Sequence, residues 1–249
     1  MEMSINYIIA TYSGRYRETE DKSEVLQTQL KALHGLIKRE KDRGQKPLVE
    51  QVTIVCPKPR HQVYLTYYQQ EKWIEMFKEL GIPVVYLPYV GKNEDHSYDQ
   101  WIQGYAAFPD FEYTLVMEDD YCIQTSHLSF DKTLVHFYKE KFPKGIGYLA
   151  TRADNNNGHE YHASISNGMI SRKTWEALGD DPLGRYFLMK TIEPYPQLAF
   201  SFMFTRSGVD IKDMSNEYDA IFWNSDTKQL TSLSGLRPAE RMIVPVQTV

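Results

Sequence analysis

Three consecutive acids, Glu118, Asp119 and Asp120, stand directly after the apolar run Tyr113 to Met117 (YTLVM). Like charges this close repel one another, and burial raises the cost of ionising them. A hard divalent cation removes the conflict. Mg2+ or Mn2+ takes carboxylate oxygens and leaves coordination positions for substrate phosphates. Side chains alternate along an extended chain, so Glu118 and Asp120 are expected to face one way and Asp119 the other. The competing reading is a solvated acidic turn. The apolar run before the acids, and its place in a succession of strands and helices, weigh against that.

Other residues could join such a site. Thr11 and Tyr12 close the apolar run at Ile5 to Thr11, where backbone and ring could hold a ribose or a base. Arg15 and Arg17 follow in the next loop, with a fork of donors suited to phosphate. His159 and His162 flank Glu160 and Tyr161 in the polar segment NNNGHEYH. Neutral imidazole is a transition-metal ligand, yet H-E-x-H is not the H-E-x-x-H of metalloproteases, and surface histidines are the plainer reading. Asp180, Asp181 and Glu193 are later carboxylates, any one of which could act as a general base. Asp180 and Asp181 also lie between Gly179 and Pro182, which is ordinary turn composition.

The elements that must position these residues follow from periodicity. Ile5 to Thr11, Gln51 to Cys56, the segment PVVYLPY and Tyr113 to Met117 read as buried strands. Between the first two, Asp21 and Glu24 form a capping-box pattern, and Leu26, Leu30, Leu33 and Ile37 recur at helical spacing up to Gly44. Trp73, Phe77 and Leu80 mark one face of a second helix, closed by Gly81. A third helix is expected to start at Ser97 or Asp95 and run through Trp101 to Ala107. The alternation of strand and helix over residues 4–123 predicts a mostly parallel α/β sheet with helices on both faces, and ligands of such sheets bind beyond the carboxyl ends of the strands. Beyond it, Gly145 to Thr151 and Ala163 to Ile170, broken at Gly168, read as strands, and Ser171 to Leu178 as a helix. No Gly/Ser-rich linker appears, so the 249 residues are expected to form one composite domain.

Composition narrows the function classes. The formal net charge is −5, without the basic excess of a nucleic-acid binder, and Lys38, Arg39, Lys41 and Arg43 read as a solvated last helical turn. Two cysteines, Cys56 and Cys122, do not make a disulfide framework and are expected to be thiols at strand ends. No apolar stretch is long enough to span a membrane, and the N-terminal residues lack the pattern of a signal peptide, so a soluble, cytoplasmic protein is expected. The 18 tyrosines combine apolar rings with polar tips, a composition that suits ligand clefts.

The segment TLVMEDDYCI resembles the strand and DXD-type motif of GT-A glycosyltransferases, especially the large inverting family 2. INYIIATYSGR is similar to that family's first strand and nucleotide-binding loop, SYDQWIQGYAAFPDFEY to the helix leading into the DXD strand, and SNGMISRKTWEALG to the later strand and Arg-headed helix near donor and acceptor. Together these cover roughly residues 4–180. The resemblance implies a GT-A-like (Rossmann-like) domain with a nucleotide-sugar-binding half at 4–123 and an acceptor-binding half with a C-terminal tail at 124–249. It implies transfer of a sugar from a nucleotide-sugar, UDP-linked or another, to a glycan or other hydroxyl acceptor, with inversion. It implies Mn2+ or Mg2+ on Glu118 and Asp120, and donor contacts from Thr11, Tyr12, Arg15, Asp119 and Asp120. Two departures stand out. CPKPR replaces the acids that often touch the base, and PYPQLAFSFMFTRSG lacks the late Glu-Asp pair that carries the family's base. Competing classes are a nucleotidyltransferase or phosphohydrolase with acids at a strand end, and a non-catalytic carbohydrate-binding module. The single glycine of ATYSGRYRE argues against the first, and the metal-ready acids argue against the second.

Overall fold

The computed structural model describes residues 3–11, 23–56, 67–89, 97–123, 128–155, 160–214, 222–224 and 229–230. The first half alternates as expected. β1 (Ile5–Ala10), α1 (Ser23–Asp42), β2 (Val49–Cys56), α2 (Tyr67–Glu79), β3 (Val84–Pro88), α3 (Tyr98–Ala107) and β4 (Tyr113–Glu118) follow one another. The capping residue expected at Asp21 lies outside the described residues. After β4 come β5 (Tyr121–Ile123), α4 (Phe130–Lys141), β6 (Tyr148–Asp154) and β7 (His162–Ser171). Then follow α5 (Arg172–Ala177), α6 (Pro182–Ile192), α7 (Pro196–Thr205), β8 (Ile211–Asp213), β9 (Phe222–Asn224) and β10 (Gln229–Leu230).

Seven strands form one sheet in the order β3-β2-β1-β4-β7-β6-β8, and β10-β9-β5 form a small second sheet. β1 pairs in parallel with both β2 and β4, and β2 with β3. β7 runs antiparallel to β4 and β6, while β6 and β8 are parallel. The acid-bearing strand β4 is therefore central. Elements from both halves of the chain build the same sheet.

Period-2 alternation distributes the core to two faces. Tyr7, Ile9, Leu115 and Met117 pack with Leu30, Leu33 and Ile37 of α1, Phe77 of α2 and Leu134 of α4. Ile8, Ala10 and Val116 point the other way, onto Trp101 of α3, Trp175 of α5, Tyr186 of α6 and Phe200 and Phe204 of α7. Helices on both faces and a mostly parallel sheet match the expected class.

The expected break at Gly168 does not occur: β7 continues through it. The glycine serves close packing instead. A Cβ built there would lie 2.1 Å from the Leu149 carbonyl oxygen, so a side chain would push β6 and β7 apart. Cys56 ends β2 as expected, whereas Cys122 sits in the middle of β5, and both are free thiols. Among the described residues no helix is long and apolar enough to cross a membrane.

Candidate active site

The carboxyl end of β4 is held by side chains from three other elements. The Glu118 backbone N–H donates to Asn167 Oδ1 on β7 at 2.6 Å. Its carbonyl accepts from Gln29 Nε2 on α1 at 3.2 Å. The preceding carbonyl, Met117 O, accepts from the Trp101 indole of α3 at 3.0 Å. The Glu118 carboxylate accepts from Ser97 Oγ, directly before α3, at 2.6 Å. Chain direction and side-chain direction at this strand end are thus both fixed.

Burial, and after it the nearby Asp120 carboxylate, push the Glu118 pKa up to about 7, against a lowering by the Ser97 hydrogen bond. β4 ends at Glu118, and Asp119 and Asp120 form the turn that leads into β5. The Asp120 carboxylate raises the pKa of Glu118 and of Cys122, and buried Asp119 raises that of Cys56, each behind burial. The thiols of Cys56 and Cys122 are both pushed up to about 12, so neither is a ready nucleophile at neutral pH.

Among the described residues no three His, Cys, Asp or Glu side chains converge as a metal-binding group. Two crowded carboxylates, one of them held short of ionisation by burial and its neighbour, suit a hard divalent cation. Mg2+ or Mn2+ is bound by one or two carboxylates, with water and substrate phosphates completing the shell. Glu118 and Asp120 fit that role: Ser97 holds Oε1 of Glu118 and leaves Oε2.

Thr11 lies beside this strand end, as β1 pairs Ala10 with Glu118. Its polar groups are already engaged. The N–H donates to Gln100 Oε1 at 3.0 Å and to the Val55 carbonyl at 3.3 Å. The carbonyl accepts from Gln100 Nε2 at 3.0 Å, and the hydroxyl donates to Val55 O at 2.8 Å. Thr11 is therefore a buried joint between β1, β2 and α3. Tyr12, Arg15, Arg17 and His159 lie outside the described residues.

The three carboxylates named as candidate bases separate. β7 ends with Ser171 opposite Tyr113, the first residue of β4, so α5 begins at the end of the sheet away from Glu118. Asp180 and Asp181 follow α5 on that side. Asp181 accepts from the Gly184 N–H at 2.8 Å as the N-cap of α6, and one turn on, Arg185 reaches Ser207 Oγ at 2.9 Å beyond the last turn of α7. The six residues of β4 separate the two edges by about 17 Å. Glu193 is at the other end of α6, on the edge that carries Glu118. Its Oε1 accepts from Tyr195 N at 3.1 Å, and Gln197 close by donates to the carbonyls of Ala163 and Ser164 at the start of β7. His162 begins β7 opposite Asp154, is buried, and sets Nδ1 2.9 Å from the Glu160 carbonyl oxygen.

Four residues at this edge were not legible as site residues: Ser97, Gln100, Asn167 and Gln29. Ser97 reads as a helix cap in the sequence. It occupies the N-cap position, but its hydroxyl makes no capping bond and turns to Glu118. A buried Asn or Gln inside an apolar strand or helix face is the signal that could have marked Asn167 and Gln29.

No protein-family profile matches the chain, and no curated protein matches it in sequence. The structure is similar to the crystal structure of the glycosyltransferase GlyE of Streptococcus pneumoniae TIGR4, with a TM-score of 0.52 and 12% identity over 87% of this chain and 46% of that one. Weaker likenesses are to S. aureus TarS 1-349 in complex with UDP (TM-score 0.48, 13% identity, 86% of this chain and 62% of that one). A further one is a glycosyltransferase involved in the glycosylation of the major capsid of PBCV-1 (TM-score 0.45, 12% identity, 95% and 96%). The chain spans about half the length of GlyE. At 12% identity that likeness establishes a shared fold: this chain folds as a glycosyltransferase does.

Proposed function

We propose that the chain transfers a sugar from a nucleotide-sugar to an acceptor hydroxyl, with the donor diphosphate held at Glu118 and Asp120 through Mn2+ or Mg2+. The observation that carries this reading is the acid run at the carboxyl end of the central strand, held in place from α1, α3 and β7, in a fold shared with a glycosyltransferase. A cation bound there neutralises the leaving diphosphate. Asp119 is the proposed ribose contact, and a UDP-sugar is the first donor to test.

The reaction we propose is a direct displacement with inversion, as in the family 2 enzymes that the motifs resemble. A general base takes the proton of the acceptor hydroxyl as its oxygen bonds to the anomeric carbon. The bond from that carbon to the diphosphate breaks, and the nucleoside diphosphate leaves. Glu193 is the proposed base, because it lies four residues from Gln197, which bonds the start of β7 on the side of the sheet where β4 ends. A base must come within hydrogen-bond reach of the proton it abstracts, and Asp180 and Asp181 start from the opposite edge.

The test is a panel of nucleotide-sugars with and without Mn2+, scored by thermal shift and by release of nucleoside diphosphate. A cation-dependent shift with one donor, followed by release on addition of acceptor, supports the reading. A panel without any cation-dependent shift refutes it.

A further inference from the structure

The first turn of α3 is the most densely connected stretch at the carboxyl edge of the sheet. Five consecutive side chains, 97 to 101, each reach a different group. Ser97 Oγ donates to Glu118 Oε1 at 2.6 Å. The Tyr98 hydroxyl lies 3.4 Å from Ser166 Oγ on β7. The Asp99 carboxylate accepts from the Tyr89 hydroxyl, just past β3. Gln100 clamps Thr11 through both ends of its carboxamide. Trp101 donates to Met117 O. All five residues are buried, although a helix at a sheet surface ordinarily turns part of each turn to solvent.

One of these contacts runs against local helix chemistry. A serine at an N-cap position normally accepts from a backbone N–H of the first turn, which stabilises a helix by about 1 kcal/mol. Ser97 makes no such bond. Its hydroxyl donates to a carboxylate instead, and such a bond fixes the direction of its acceptor. The other four contacts hold the turn against the ends of β1, β3, β4 and β7, so the backbone that carries the hydroxyl is fixed beside Glu118.

We propose that the first turn of α3 is the positioning element of the site, and that Ser97 is the positioning residue that sets the Glu118 carboxylate for a divalent cation. This rests on the reading of Glu118 and Asp120 as cation ligands. Outer partners of metal ligands commonly change metal affinity by about 10–100-fold when removed. Ser97→Ala deletes the hydroxyl without deleting a cap, because there is none to lose. Ser97→Thr keeps the hydroxyl.

The experiment titrates Mn2+ alone into the full chain, followed by electron paramagnetic resonance, with thermal melts in EDTA alongside. The expected result is a Kd for Mn2+ raised about tenfold in Ser97→Ala, affinity within about threefold of the unsubstituted chain in Ser97→Thr, and melting temperatures in EDTA within a few degrees of one another. Unchanged Mn2+ affinity in folded Ser97→Ala overturns the assignment. Equal losses of affinity in both variants, tracking an equal fall in melting temperature, also overturn it and make Ser97 a packing residue. An unsubstituted chain that binds Mn2+ neither alone nor with a nucleoside diphosphate refutes the cation reading itself, which is a separate outcome from either of these.

Discussion

Replacing Glu118 with Gln should stabilise the protein and disable it. In the folded chain, burial and Asp120 raise the Glu118 pKa from an ordinary 4.5 to about 7. The sign follows from proton binding. Between pH 4.5 and 7 the folded chain holds a proton at Glu118 that the unfolded chain has released, so stability falls as pH rises through this window. Below it both states are protonated and no penalty exists. Above it the penalty is complete. At about 1.36 kcal/mol per pH unit the gap corresponds to about 3 kcal/mol, and partial exposure together with coupling to Asp120 brings the expected value to about 1–3 kcal/mol. Gln removes the charge and retains an oxygen to accept from Ser97. Glu118→Gln should therefore melt about 2–12 °C higher than the unsubstituted chain at pH 8 in EDTA, taking about 2–4 °C per kcal/mol for a chain of this size. The difference should shrink toward zero at pH 4.5. Saturating Mn2+ should narrow or reverse the difference at pH 8, since the unsubstituted chain gains binding free energy, about 2.7 kcal/mol at a ligand concentration of 100 times Kd. Thermal melts at three pH values, with EDTA or with Mn2+, read all of this. A variant less stable than the parent at pH 8 in EDTA, or a difference that does not vary with pH, refutes the account of Glu118.

Donor binding should raise the melting temperature by roughly 5–10 °C in Mn2+, and EDTA or Asp120→Ala should abolish the rise, with Asp119→Ala milder on the metal. A donor-induced shift that survives both treatments would sink the cation mechanism. Glu193→Gln should slow turnover by about 100-fold or more with donor affinity kept, while Asp180→Asn and Asp181→Asn stay near full rate; steady-state kinetics of the three amide variants decide. Gly168→Ala should destabilise by about 1–3 kcal/mol, because its Cβ would meet the Leu149 carbonyl at 2.1 Å; a shift in the denaturant midpoint measures it, and an unchanged midpoint contradicts the close-approach argument.

The sequence made the donor half of the fold legible because its signals are strong and local. Short β-branched runs bounded by Gly and Pro gave β1 to β4, and Leu26, Leu30, Leu33 and Ile37 gave the buried face of α1. The later half is different. α4 starts after Ser129 in a left-handed conformation without a side-chain cap, so its start carries no capping signature. The sequence of α7, PQLAFSFMFT, has no polar stripe, since Leu198 through Phe204 are all buried, and helical periodicity vanishes when every face is covered. The acids at 118–120 were legible as a candidate site because three charges after an apolar run need a physical reason. The partners of Glu118 were not, because Gln29, Ser97 and Asn167 come from three elements up to 138 residues apart and meet only through the sheet order. Thr11 was legible as a strand end, but which of its groups stay free depends on Gln100, 89 residues away.

The same partners carry a cost in stability that the proposed site would explain. Asn167 and Gln29 are fully buried, and each bonds Glu118 with one end of its amide, while Asn167 Nδ2 and Gln29 Oε1 have no hydrogen-bond partner among the described residues. A buried polar atom without a partner costs about 1–3 kcal/mol, and two such atoms flank one residue. Apolar side chains of similar shape would pack there without that cost, but they could not grip the N–H and carbonyl of Glu118. The apolar clusters on both faces of the sheet offset the loss, while the gain is confined to one strand end whose backbone cannot shift. Sites that bind charge do so best when their groups are fixed beforehand, because no reorganisation is then needed on binding. An acidic run that was only a solvated turn would have no use for four buried side chains holding its first residue and the carbonyl before it. The hydrogen bonds behind Glu118, more than the acids themselves, support the proposal that this edge holds a ligand.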